Sequence, residues 1–222
     1  MAKVLYDSVL VGDLEVNCYI LWTEGSTEAI VLDPGASFTK INRRLKALKL
    51  TPAIVALTHG HCDHIGAVAE MLAAYPGCRL AAHREEIPLL KQPTLNMSWF
   101  FNQSVQLREP DIILEDNSTL DMGEIHARVF HVPGHSPGGV AFYVQPEGAS
   151  PLLFCGDILF KGSVGRTDFH GGSWPMLIAG IREKLLVLPA NTIVLPGHGD
   201  PTTIGAEIKT NPFLNGEHPE DE

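Results

Sequence analysis

The chain has 222 residues, 16 Lys and Arg against 26 Asp and Glu, 10 His, and a formal net charge of −10. An apolar share of 45% with 19% charged residues can bury a core, which excludes wholesale disorder, and the length suits one domain. The acidic balance excludes a general nucleic-acid binder, which needs a basic face to displace counterions, and a binder of anionic membranes.

The chain starts without the pattern of a secretory signal, because Lys3 and Asp7 interrupt its apolar residues. Residues 4–11 and 16–22 are apolar, β-rich runs parted by the turn pair Gly12-Asp13. Residues 29–33 form a third short strand, closed by Pro34-Gly35. Ser37 is placed to N-cap a helix with Ile41, Leu45 and Leu48 on one face. A buried strand over 54–57 leads into a loop at Thr58, and residues 67–75 read as a helix stopped by Pro76-Gly77. A short strand at 79–82 and a short helix at 85–91 follow.

Between Gln92 and Pro110 the pattern blurs around Trp99, Phe100 and Phe101. This aromatic tip reads either as a local hydrophobic plug or as a lid over a cleft. Strands are expected at 112–114, 127–132, 140–144, 152–155 and 192–195, with a helix at 174–186 carrying Leu177, Ile181 and Leu185 in line. No stretch reaches the roughly 18 apolar residues that a membrane span needs. Cys18, Cys62, Cys78 and Cys155 are irregularly spaced without a Cys-x-x-Cys pair, so no disulfide framework is expected and a reducing, cytoplasmic location is. Strands, helices and strands again predict two sheets sandwiched between helices. Residues 1–215 are expected to form one catalytic domain, and the acidic, Pro-containing 216–222 a disordered tail.

The chemistry gathers at strand ends. Thr58-His59-Gly60-His61-Cys62-Asp63-His64 packs three imidazoles and a carboxylate directly after an apolar strand. Such groups are too costly to bury without partners, and imidazole with carboxylate suits zinc, iron or manganese. His135 follows within Pro133-Gly134-His135, Asp157 within Gly156-Asp157, and His198 within Pro196-Gly197-His198. Each alone is an ordinary turn residue. Their shared pattern, a strand end, a Gly and a ligand-type side chain, points to convergence at one edge of the sheets.

His-x-His-x-Asp-His followed by Pro-Gly-His, Gly-Asp and Pro-Gly-His resembles the metallo-β-lactamase fold superfamily over nearly the whole chain. Within it, the run from Gly156 to Phe169 and the later Asn211-Pro212-Phe213 are similar to the glyoxalase II (hydroxyacylglutathione hydrolase) group, most of all to its short bacterial members. The resemblance implies a four-layer αββα sandwich and a site for two divalent metal ions, zinc first, with iron or manganese as alternatives. It implies His59, His61 and His135 around the first ion, Asp63, His64 and His198 around the second, and Asp157 bridging. Asp63 and Asp157 are then also the catalytic carboxylates, serving a hydroxide held between the ions that attacks an S-(2-hydroxyacyl)glutathione. Asp33 matches an acid that supports the His loop, or forms an ordinary Asp-Pro turn. The lactamase branch is disfavoured, because its members typically carry Cys at the position of Asp157, and Cys62 reads as a small packed residue.

The expected partner is a small anionic thioester, with Arg166 and Lys161 as candidates to bind it. Arg166 alternatively pairs with Asp168. The C-terminal helical domain that supplies basic residues for glutathione in full-length glyoxalase II has no counterpart here, and Asp168 and Phe169 stand where that group has a Tyr. Two alternatives stay open: a mononuclear-iron persulfide dioxygenase using His59, His135 and Asp157, and another hydrolase of the fold, such as a lactonase or phosphodiesterase.

Overall fold

The computed structural model describes residues 3–216, so the predicted disordered tail lies outside the described residues apart from Gly216. The inner strands of each sheet are buried on both faces, and this dictates the layering. In β2 (Val16–Thr23), Cys18 and Ile20 enter one apolar cluster while Tyr19 and Leu21 enter another. A sheet buried on both sides needs a cover on each.

The first sheet runs in the order β1 (Val4–Val11), β2, β3 (Glu28–Leu32), β4 (Thr51–Ala56), β5 (Arg79–His83) and β6 (Ile112–Leu114). The second is built from β7 (Thr119–Met122), β8 (Ile125–His131), β9 (Val140–Val144) and β10 (Leu152–Gly156). After a small hairpin of β11 (Leu159–Phe160) and β12 (Ser163–Val164), it is completed by β13 (Ile193–Pro196) and β14 (Thr202–Thr203). Leu21, Ile30, Val129, Phe142 and Phe154 interdigitate between the sheets. Helices α1 (Phe38–Leu48), α2 (Cys62–Ile65) and α3 (Val68–Ala74) cover the first sheet through Ile41, Leu45, Ile65 and Met71. Beyond α4 (Ile87–Lys91), helices α5 (Trp174–Gly180), α6 (Ile204–Thr210) and α7 (Pro212–Asn215) cover the second through Leu177, Ile178, Ile204 and Leu214. The result is the expected αββα sandwich. No helix among the described residues is long and apolar enough to cross a membrane.

Several local expectations need correction. Ser37 sits at the start of α1 but makes no side-chain cap; its φ of 56° is not the extended conformation from which a hydroxyl reaches the first-turn N–H groups. β4 extends back across Pro52, whose missing donor is accommodated by a register shift between Ala29 and Ile30. The helix expected to reach 186 ends its α-helical part at Gly180 and continues as a π-turn over Ile181–Leu185. The segments α2, β7, β11, β12, β14, α6 and α7 are not anticipated by the sequence pattern, since two to seven residues hold too little of a period to recognise.

Topology then sets where the loops go. β3, β4 and β5 run parallel, and β8 and β10 share a direction because both are antiparallel to β9. β13 is parallel to β10. The segments leaving the ends of β3, β4, β8, β10 and β13 therefore meet at one rim. Cross-sheet bonds lock it: Asn17 N–H donates to Gly197 O at 2.7 Å and Val140 N–H to Thr58 O at 2.9 Å.

Candidate metal centre

All seven expected ligand side chains meet at this rim. His59, His61, His64 and His135 are buried, while Asp63, Asp157 and His198 are partly exposed. Ligand atoms of His59, His61 and His135 lie within 4.8 Å of one another, as do those of Asp63, His64 and His198. Asp157 stands between the triads: its Oδ2 is 3.6 Å from His135 Nε2 and 3.6 Å from His198 Nε2, and its Oδ1 is 3.4 Å from His64 Nε2.

The backbone permits this convergence only through close approaches. At Gly197 an added Cβ would lie 2.3 Å from Asp157 Oδ1 and 2.7 Å from His64 Cε1. Glycine is what lets the β13 loop pass under both side chains.

The hydrogen bonds assign the imidazole tautomers. Thr58 Oγ1 donates to Asp33 Oδ2 at 2.6 Å, so at 3.0 Å it accepts from His59 Nδ1. His64 Nδ1 donates to Asp33 Oδ2 at 3.0 Å, His135 Nδ1 to Arg166 O at 2.8 Å, and His198 Nδ1 to Leu14 O at 2.8 Å. In all four residues Nε2 is thus the nitrogen turned toward the rim. His59 Nε2, His64 Nε2 and Asp157 Oδ1 are buried with no hydrogen-bond partner. His135 Nε2 faces His61 Nδ1 at 3.0 Å, and Asp63 Oδ2 faces His198 Nε2 at 3.3 Å. Buried ring nitrogens and a carboxylate oxygen left without partners at one point are costly, and this donor set fits divalent metal ions.

The electrostatics agree. Burial, with repulsion from His135, pushes His61 down to about 3, so it stays neutral and free to ligate. Burial and the neighbouring imidazoles hold His59 well below the usual range. Burial opposes charge on His64, yet Asp157 and Asp63 outweigh it and draw a proton on to the ring in the metal-free network. Burial likewise opposes ionisation of Asp63, but His64 and His198 keep it ionised.

Asp33 does more than make a turn. Its Oδ1 accepts from Thr58 N–H at 2.8 Å, and its Oδ2 serves both Thr58 Oγ1 and His64 Nδ1. A third cluster, Asp33 with His59 and His64, is accounted for by those bonds. His131 stacks on His83 with ring centroids 4.0 Å apart and donates no ligand. Cys62 and Cys155 are buried thiols, pushed up to about 11 and about 12 by burial.

A cleft of about 570 Å³ opens above the triads. The two expected substrate cations both border carboxylates. Arg166 donates through Nε and a terminal nitrogen to the two oxygens of Asp168 at 2.7 and 2.6 Å, and Lys161 donates to Asp200 at 3.3 Å. The aromatic tip is not a plug: Trp99, Phe100 and Phe101 are all exposed, and Phe101 with Met97 lines the cleft.

One residue at the centre escaped sequence reasoning. Glu86 is fully buried, its Oε2 accepting from Gly60 N–H at 2.7 Å and its Oε1 from Gly138 N–H at 2.6 Å. It straps the loop of His59 and His61 to the loop of His135.

A family model described as the metallo-beta-lactamase superfamily matches residues 11–198. The chain belongs to that superfamily. Superfamily membership and the His/Asp cluster together make it a metal-dependent hydrolase for divalent cations. Among relatives, hydroxyacylglutathione hydrolase GloC of Haemophilus influenzae is 37% identical over 205 residues, spanning 90% of this chain and 92% of that protein. A crystal structure of BLEG-1, a B3 metallo-β-lactamase, is similar with 40% identity and a TM-score of 0.88, covering 96% of this chain and 100% of its own. That of TTHA1623 in a di-iron-bound form shares 37% identity with a TM-score of 0.82, covering 94% of this chain and 100% of its own.

Proposed function

We propose that this metallo-β-lactamase superfamily member is a binuclear thioester hydrolase of the hydroxyacylglutathione hydrolase type, acting on S-(2-hydroxyacyl) thioesters. The observation that carries the reading is Asp157, whose carboxylate stands between two complete triads, at 3.6 Å from His135 and 3.6 Å from His198. The likeness to GloC over 90% of the chain supports the substrate type. Zinc is the proposed metal; the di-iron-bound TTHA1623 makes iron the alternative.

Bound divalent cations supply Lewis acidity and bring the pKa of water toward neutrality. The protein's own groups set the rest. Asp63 and Asp157 are held ionised at the floor of the cleft, where each can orient a water by accepting its hydrogen bond. No side-chain nucleophile is needed, and the nearby thiols do not offer one: burial pushes Cys62 up to about 11 and Cys155 to about 12. A thiolate leaving group, with a pKa of about 8.5 for a free cysteine-like thiol, departs without a strong general acid.

A second reading, β-lactam hydrolysis, is favoured by the 40% identity to BLEG-1. The readings separate in one set of measurements on metal-loaded protein: metals per chain, hydrolysis of S-lactoylglutathione, hydrolysis of benzylpenicillin, and oxygen uptake with glutathione persulfide. Two metals per chain with thioester turnover is the expected result. Faster β-lactam than thioester turnover establishes the second reading, and a single iron with oxygen uptake overturns both.

A further inference from the structure

The thioester reading leaves the thiol carrier open, and the walls of the cleft bear on it. Beyond the metal side chains the cleft is bordered by Leu14, Met97, Phe101, Phe160 and Phe169. Two of these project into water at its mouth, Leu14 at 52% and Phe101 at 54% exposure, and Trp99 and Phe100 beside Phe101 reach 64% and 69%. Large apolar groups gathered in the open are unfavourable in water and mark a surface that a ligand covers.

The loop presenting Phe101 is a built structure. Buried Asn96 donates to Leu89 O and Val105 O at 2.9 Å each and accepts from Ser98 N–H at 3.0 Å. Ser98 Oγ accepts from Val105 N–H at 3.1 Å. The same loop is tied to the ligand cluster, since Cys62 N–H donates to Asn96 O at 2.8 Å. Phe101 is therefore held in register with the triads.

The charges point the same way. Among the described residues lining the cleft, Arg166 is the one permanent cation. Its fork is engaged by both oxygens of Asp168, and its guanidinium lies over the Phe169 ring at 4.1 Å. Lys161 is engaged by Asp200. A carrier with two carboxylates, such as glutathione, would have to displace these partners on a chain of net charge −10. A neutral apolar thiol has no such requirement and covers the exposed rim.

We infer, resting on the thioester reading, that the carrier is an alkyl or aryl thiol held by apolar contact with Phe101 and Leu14, so that thioesters of neutral apolar thiols are preferred over those of glutathione. Specificity then resides in Phe101.

The test holds the acyl group constant. S-lactoyl thioesters of 2-phenylethanethiol and of glutathione are compared on the metal-loaded protein, each rate normalised to spontaneous hydrolysis. The expected kcat/KM ratio is about tenfold or more in favour of the apolar carrier, the scale set by covering one aromatic side chain. In Phe101→Ser, an exposed substitution, the ratio collapses toward one through the KM of the apolar thioester. A ratio in favour of glutathione that Arg166→Ala abolishes overturns the inference and leaves the thioester reading intact. So does a ratio that Phe101→Ser leaves unchanged. If neither thioester is hydrolysed, the thioester reading itself falls and the inference falls with it.

Discussion

Asp33 grips His64 by the nitrogen that faces away from the metal centre, at 3.0 Å, while its other oxygen takes the Thr58 N–H at 2.8 Å. One buried carboxylate thereby fixes both the tautomer of a ligand and the start of the loop carrying it. Its φ of 48° is an uncommon conformation for a residue with a side chain, held here by those bonds. Asp33→Asn places an amide N–H against a donor on one side or the other. Affinity at the Asp63, His64 and His198 triad is expected to fall roughly 10- to 100-fold, measured by chelator competition. Wild-type affinity in this variant would reduce Asp33 to a turn residue.

Glu86 performs the equivalent task for the other triad, joining Gly60 to Gly138. In Glu86→Gln only one of those N–H groups keeps an acceptor. Affinity at the His59, His61 and His135 triad should drop by about tenfold, the lower end for loss of a ligand-supporting group, with the second triad affected less.

The same residue predicts a pH dependence. Burial pushes Glu86 from 4.5 up to about 7, only partly offset by the N–H groups of Gly138 and Gly60. Between those values the folded protein keeps a proton that the unfolded chain has released. Stability contributed by Glu86 is therefore full below pH 4.5, declines as pH rises to about 7, and is constant above. Denaturant unfolding of the metal-free protein across this range tests it. The wild-type minus Glu86→Gln difference should fall with rising pH in that window; a flat or rising difference contradicts the assignment.

What was legible in the sequence follows from these contacts. The seven ligand-type residues stood out because they fall in loops that follow apolar strands, five of them next to a glycine and Asp63 and His64 within the His-rich cluster, a local signal that survives without knowledge of the fold. The inner strands stood out because burial on both faces makes them continuous apolar runs. Glu86 did not, because it falls inside the short helix expected at 85–91, with no glycine or strand end to mark it. Only the parallel pairing of β4 with β5 carries its carboxylate beneath Gly60. The role of Phe101 was hidden for a related reason. The loop from Gln92 to Pro110 is organised by Asn96 and Ser98 contacts that follow no period. For Arg166, the Asp168 two residues on was visible as an alternative partner, and that bidentate pairing is present in the structure.

Asp157 stands 3.6 Å from His135 of one triad and 3.6 Å from His198 of the other, so its removal should act on both. Asp157→Ala is expected to lower bound metal from two ions to at most one per chain, while far-UV circular dichroism stays that of wild type. The fold survives because the carboxylate lies at the rim, outside the three apolar clusters. Elemental analysis after dialysis reads the outcome, and two retained ions with full activity would remove Asp157 from the bridging position.

Gly197 offers the sharpest steric test, because the space it leaves is filled by two ligands. Its φ is not in the left-handed region, so alanine is allowed by the backbone there, and any effect comes from the added methyl group. That methyl would sit 2.3 Å from Asp157 Oδ1 and 2.7 Å from His64 Cε1, distances at which something must move. Since a ligand displaced by about 1 Å costs on the order of 100-fold in rate, Gly197→Ala should lose about that much kcat while folding. Gly77→Ala is the matched control, with nothing within 4 Å of its added Cβ, and is expected to be neutral in activity. Comparable losses in both variants would show a backbone effect; a loss confined to Gly197→Ala places the clash at the metal side chains.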